Sequence, residues 1–196
     1  CIWNLNKQRR YTMKKNGLLV ITFAFFAFML SGCLTVEKKQ YIIDITGKNS
    51  GKLTIKYINI MGSEDDSTYS TEEDFNELID SYLYGDKIEQ AYPGAKNITK
   101  RLFEENGQLC GEVTMDFPDL AAAHLYQYDK KSPLMYSISQ SVDGEEYLES
   151  NGTFGGDKMK VIFWPQGTKK LTYTTKISAM DSYVSLLSDY KAWRRN

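Results

Sequence analysis

Hydrophobic and polar positions change rhythm several times along this chain. Gly17 to Leu30 is apolar apart from Thr22. From Tyr41, "YIIDITGKNSGKLTIKYINI" reads as two β-rich runs, Tyr41 to Ile45 and Lys52 to Ile60, joined by Gly47 to Gly51, whose Gly and Asn supply the positive φ values a hairpin loop needs. Leu53, Ile55 and Tyr57 alternate with Thr54 and Lys56, so one side of this hairpin is wet, as an antiparallel sheet allows. The period then switches. Phe75, Leu78, Ile79, Tyr82 and Leu83 follow i, i+3, i+4, i+7, i+8 and predict a helix, with Ser70 and Glu73 as a capping box and Gly85 as its terminal cap.

Alternation returns in "NITKRLFEENGQLCGEVTMDF", where Asn106-Gly107 is a two-residue turn signal and Leu109, Gly111, Val113, Met115 and Phe117 share a face. Pro118 ends that strand and "DLAAAHLY" predicts a short helix begun by Asp119. Residues 41–84 and 97–126 thus each read strand, strand, helix, which suggests a ββα duplication. Further strands are expected at Leu134 to Ser139, Glu146 to Glu149, Met159 to Trp164 and Lys170 to Ile177, with turns at Asp143-Gly144, Asn151-Gly152 and Pro165-Gln166-Gly167. A last helix, about Ala179 to Trp193, would place Met180, Tyr183, Val184 and Leu187 on one stripe. The sum is an α+β domain, an antiparallel sheet with helices packed on one face.

The leading apolar run changes the picture most. Fourteen residues at about 1.5 Å each span roughly 21 Å, short of the ~30 Å hydrocarbon core, although continuing to Val36 would reach it. Read from Met13, the order is Lys14 and Lys15, the apolar stretch, then small residues before a cysteine, which is a secretory signal. Residues 1–12 are then an upstream extension. "LSGC", Leu30-Ser31-Gly32-Cys33, resembles the lipobox of bacterial lipoproteins: an aliphatic residue, a small one, Gly or Ala, and Cys. That resemblance implies cleavage after residue 32 and diacylglycerol on the Cys33 thiol. With two or three acyl chains, retention on the membrane is near permanent. The implied organisation is a signal peptide over 13–32, a lipidated tether over 33–40 and a single domain over 41–196, on the membrane surface of the bacterial envelope facing out of the cytoplasm. Lipobox, hairpins and helix together are also distantly similar to mycobacterial LppM-type lipoproteins.

Charge follows the same division. The chain has 24 bases and 25 acids, but residues 1–32 hold five of the bases (Lys7, Arg9, Arg10, Lys14, Lys15) and no acid, which leaves 19 against 25 and a formal −6 beyond them. That balance disfavours nucleic acid as a partner and electrostatic adhesion to anionic lipid. Cysteines stand at positions 1, 33 and 110, so Cys110 has no disulfide partner once Cys33 is modified.

Candidate chemistry is sparse. Cys110 as a nucleophile needs a base, and the one histidine, His124, falls in another predicted element; Glu112, on the same strand face, would raise the thiol pKa. Cys110 is therefore expected to be a semi-buried structural thiol and His124 a packed or surface helical residue, and no zinc set is formed. The acids Glu64, Asp65, Asp66 and Glu72, Glu73, Asp74 suggest calcium, but counting from Asp65 places Ser70 sixth and Asn76 twelfth, where an EF-hand loop wants Gly and Glu. Gly152, Gly155 and Gly156 precede no helix and so form turns, not a phosphate loop. "NIT" at Asn97 and "NGT" at Asn151 match glycosylation acceptors only weakly. Of the many aromatics after Tyr126, about half are expected in the core and the rest on a pocket or partner surface. The expected function is a lipid-anchored, non-enzymatic domain that binds an envelope protein or small apolar ligand without cofactor or metal; the alternatives are a lipid-binding lipoprotein and a hydrolase.

Overall fold

The computed structural model describes residues 34–63, 71–138, 145–177 and 183–195. The leader, the acidic group at 64–66, Ser70, the Asp143-Gly144 turn and Met180 lie outside the described residues. Eleven strands fall among them: β1 (Thr35–Ile45), β2 (Gly51–Ser63), β3 (Lys96–Glu105), β4 (Gln108–Phe117), β5 (Leu125–Tyr126), β6 (Leu134–Ser137), β7 (Glu145–Ser150), β8 (Thr153–Phe154), β9 (Val161–Trp164), β10 (Lys170–Ile177) and β11 (Tyr183–Ser185). Every pairing is antiparallel. A seven-stranded sheet runs β3-β4-β2-β1-β10-β7 with β11 also on β2, and a four-stranded sheet runs β5-β6-β9-β8. Among the described residues the helices are few and short: α1 (Thr71–Glu77), α2 (Lys87–Ala91) and α3 (Leu187–Trp193). The fold is α+β and mostly antiparallel sheet.

The turn chemistry is legible residue by residue. Asn106 and Gly107 both take positive φ, 52° and 76°, the conformation that makes Asn-Gly the favoured link between β3 and β4. Asn59 also has φ of 55°, in the middle of β2. Before it the inward positions are Leu53 and Ile55, and after it Ile60, so this one left-handed residue moves the buried side from odd to even numbers. Past Tyr57 the partner β4 gives way to β11, which pairs with Met61 to Ser63.

Two apolar clusters hold the sheets and helices. The first joins Tyr41, Ile43, Leu53, Ile55, Met115, Phe117, Leu171 and Tyr173 of the large sheet to Leu134, Tyr136, Ile162 and Trp164 of the small one. The second joins Val36, Ile60 and Leu109 to Phe75, Leu78, Ile79, Leu186 and Tyr190. The chain divides into two units at Gly32/Cys33, and both clusters belong wholly to the second.

Four expectations need correction. The residues expected as a tether over 34–40 are strand from Thr35: Val36 is buried against the second cluster, and polar Lys38 and Gln40 are accommodated because the opposite face of β1 is wet. Of the helix expected over 179–193, the described part is helical from Leu187, while Tyr183 to Ser185 pairs with β2, where an open strand edge recruits it. The helix expected from Asp119 is a single 3₁₀ turn, Ala121–Ala123, closed by His124 at φ 55°, so the second strand-strand-helix unit stops at a turn. The helix expected to end at Gly85 is not regular, although Gly85 does stand directly after the C-cap Tyr84, without positive φ. The helix from Thr71 widens at Leu78–Leu83 into a π-helical turn, with Tyr84 N–H donating to Ile79 O at 2.9 Å, and a Cβ on Gly85 would sit 2.5 Å from Asp80 O.

Candidate functional site

Chemistry-bearing side chains converge at the inner face of the large sheet, where β1, β7 and β10 meet the small sheet. The register sets Tyr57, Lys39, Thr175 and Tyr147 in one row across β2, β1, β10 and β7. Tyr41 and Tyr173 are opposite each other in the next row. Glu145 reaches this face because β7 carries an extra residue there: Thr174 pairs with Glu149 but Thr175 with Tyr147, so Leu148 is bulged out. Without that bulge the strand's other parity, Glu146, would turn inward.

Glu145 is 5% exposed and its carboxylate is fully engaged. Oε2 meets the Lys39 ammonium at 3.4 Å, and Oε1 accepts from the Tyr41 hydroxyl at 3.3 Å and from the Thr175 hydroxyl. Around it the tyrosine rings pack closely: Tyr41 stacks on Tyr173 with centroids 4.2 Å apart, and Tyr136 lies 4.5 Å from Tyr173. Burial drives the phenols of Tyr41, Tyr57, Tyr92 and Tyr173 well up, and the nearby Glu145 charge pushes Tyr41, Tyr57 and Tyr92 the same way. Burial also takes Tyr136 to about 12. All five are neutral phenols at ordinary pH. A carboxylate with three partners and a set of un-ionised hydroxyls can orient and hydrogen-bond, but it supplies neither nucleophile nor free base.

A second node ties the two sheets together. Asn151, following β7, accepts from Trp164 Nε1 at 2.7 Å and from Thr172 N at 2.8 Å through Oδ1, and donates to Lys170 O at 2.9 Å through Nδ2. Its expected reading was a turn residue; the side chain is a staple between β9 and β10.

The sequence candidates are not assembled into a reaction centre. Cys110 is fully buried, not half-buried, and faces Phe103 across the β3–β4 pair. Its thiol is raised, by burial first and by Glu105, with no part played by Glu112. His124 stacks on Tyr92 at 4.7 Å and is lowered by burial. Glu72, Glu73 and Asp74 occupy the first turn of α1, where the macrodipole favours anions. Among the described residues no group of three His, Cys, Asp or Glu could hold a metal ion, and no helix is long and apolar enough to cross a membrane. No protein-family model, curated protein or solved structure matches this chain.

The tyrosine core has a pH signature. Unfolded tyrosines ionise near 10.0, whereas folded Tyr136 holds its proton to about 12. Between those values the unfolded chain binds fewer protons than the folded one, so stability present below pH 10 is lost as pH rises towards 12. We expect tyrosinate absorbance and loss of native circular dichroism to rise together in that window. A full rise in absorbance around pH 10 with native dichroism intact would show the rings open to water.

Proposed function

We propose that this chain is a lipoprotein of the bacterial envelope, acylated at Cys33, whose α+β domain binds a protein or small ligand at the membrane surface without catalysing a reaction. The observation that carries the reading is Leu30-Ser31-Gly32-Cys33 directly after a basic, then apolar, leader. The start of β1 at Thr35 is consistent with it, since a folded domain would then begin two residues after the modified cysteine. Within the proposal the helices cover one face of the large sheet, supported by the cluster that α1, the π turn and α3 share with Val36, Ile60 and Leu109. The fully partnered Glu145 and the neutral tyrosines favour binding over chemistry. Close ring packing between the sheets weighs against an acyl chain lodged there.

Metabolic labelling with an alkyne fatty acid tests the anchor. Wild type is expected to take up label and to sediment with membranes, and Cys33→Ser to lose the label entirely. Label that persists in Cys33→Ser would overturn the assignment. Pulldown from envelope fractions, with mass spectrometry of copurified lipid, tests the binding role; a reproducible bound lipid with no protein partner would replace it with lipid handling.

A further inference from the structure

The small sheet turns one face to the core and the other to solvent. Leu125, Leu134, Tyr136, Ile162 and Trp164 point inward, so by strand alternation Tyr126, Met135 and Phe163 point outward. The register places these three side by side, Tyr126 opposite Met135 and Met135 opposite Phe163, across β5, β6 and β9. Met159 extends the row: the Cβ direction of Gly155 meets the Phe163 ring at 3.3 Å and Met159 Cε at 3.4 Å. Tyr126 and Met159 are 57% and 51% exposed, and Tyr128 just beyond is 79% exposed. Nothing in the packing of the described residues accounts for a row of Tyr, Met and Phe laid on the outside of a sheet.

Charge distinguishes this side of the molecule. The loops flanking these strands carry Lys130, Lys131, Lys158, Lys160 and Lys169 against Asp119, Asp129 and Asp157, all at exposed positions. None of these five lysines takes part in an ion pair among the described residues. The Asp129 carboxylate is turned back on its own loop, accepting from Lys131 N, Ser132 N and the Ser132 hydroxyl. Among the described residues a local excess of two positive charges therefore flanks an apolar row, on a chain that is formally −6 beyond its first 32 residues.

We propose that this outward face is a membrane-docking surface, with Tyr126, Met135, Met159 and Phe163 entering the headgroup layer while the flanking lysines pair with anionic lipid phosphates. Exposed apolar side chains ringed by lysine are the composition that holds an element in the interface plane. A compact acidic partner would need the lysines but not the apolar row. The docking surface goes beyond acylation at Cys33 and does not depend on it.

The test uses residues 34–196, within which both core clusters are complete, so no acyl chain is present. Co-sedimentation is measured with vesicles of phosphatidylglycerol and phosphatidylcholine and with phosphatidylcholine alone. Binding is expected only to the anionic vesicles, with release by salt. Lys130→Gln with Lys160→Gln is expected to weaken partitioning by about thirtyfold, at about fivefold per lysine. Tyr126→Ser with Met159→Ser, at exposed positions that leave the circular dichroism native, is expected to weaken it by roughly tenfold. No binding to anionic vesicles, or binding indifferent to both pairs, overturns the proposal. Binding lost with the lysines but untouched by the apolar pair also overturns it, in favour of a polyanionic macromolecule. Acyl labelling of Cys33 reads out separately, so neither result stands in for the other.

Discussion

Replacing Trp164 by alanine is expected to lower the unfolding free energy by about 3–5 kcal/mol. The ring is completely buried between the two sheets, packed against Tyr173 at 6.1 Å. Truncation opens a cavity where β9 faces β10 and releases Asn151 from one of its three partners. Asn151 keeps its bonds to Thr172 N and Lys170 O, so its amide is loosened but not orphaned. Trp164→Phe separates the two contributions: it keeps most of the volume, and its loss should sit near the ~1 kcal/mol of one hydrogen bond plus a small packing defect. Against a total stability of about 5–15 kcal/mol the alanine variant would be marginal. Urea denaturation with the slope held constant measures it, and a loss below about 1 kcal/mol would mean the sheets are not joined through this ring.

Glu145→Ala is expected to cost a similar amount, about 3–5 kcal/mol, for a different reason. Its removal strands the Lys39 ammonium, whose side chain is only 13% exposed, and leaves the Tyr41 and Thr175 hydroxyls without their acceptor. The pair itself is long, at 3.4 Å, so its attraction is modest; the penalty lies in the charge left behind. The double variant Lys39→Met/Glu145→Leu should therefore recover most of the loss. If the double variant is as unstable as Glu145→Ala, the carboxylate matters through the hydroxyls and not through the lysine.

How far these sites could be read from the chain alone depends on range. Asn106-Gly107, the alternation of β4 and the Phe75-Leu78-Ile79 stripe are set by neighbours in sequence, and the fold contains each of them. The bulge at Leu148 is not local in that sense. In "EEYLES" either parity could face inward, and only pairing with β10 selects Glu145. Alternation places about half of the later aromatics in the core, but which tyrosines meet is not readable for the same reason, since Tyr41, Tyr57, Tyr136 and Tyr173 come from four strands and meet only when two sheets stack. Residues 34–40 misled through composition. Glu37, Lys38, Lys39 and Gln40 look like a solvated spacer, yet they lie on an interior strand, where Lys39 finds a buried carboxylate. Tyr183 to Ser185 misled through period, because three residues cannot distinguish a helical stripe from a strand completing an open edge.

The position of β1 carries a mechanical consequence. Its first residue lies two places after Cys33, and it is hydrogen-bonded on both sides, through ten paired positions with β2 and seven with β10. Under the proposed acylation of Cys33, a pull from the membrane would reach the domain through the first residues of β1. The ladders on both flanks would then be loaded in shear together and would not unzip one bond at a time. Under that acylation, so short a leash on an interior strand would hold the domain taut and would not let it swing loosely.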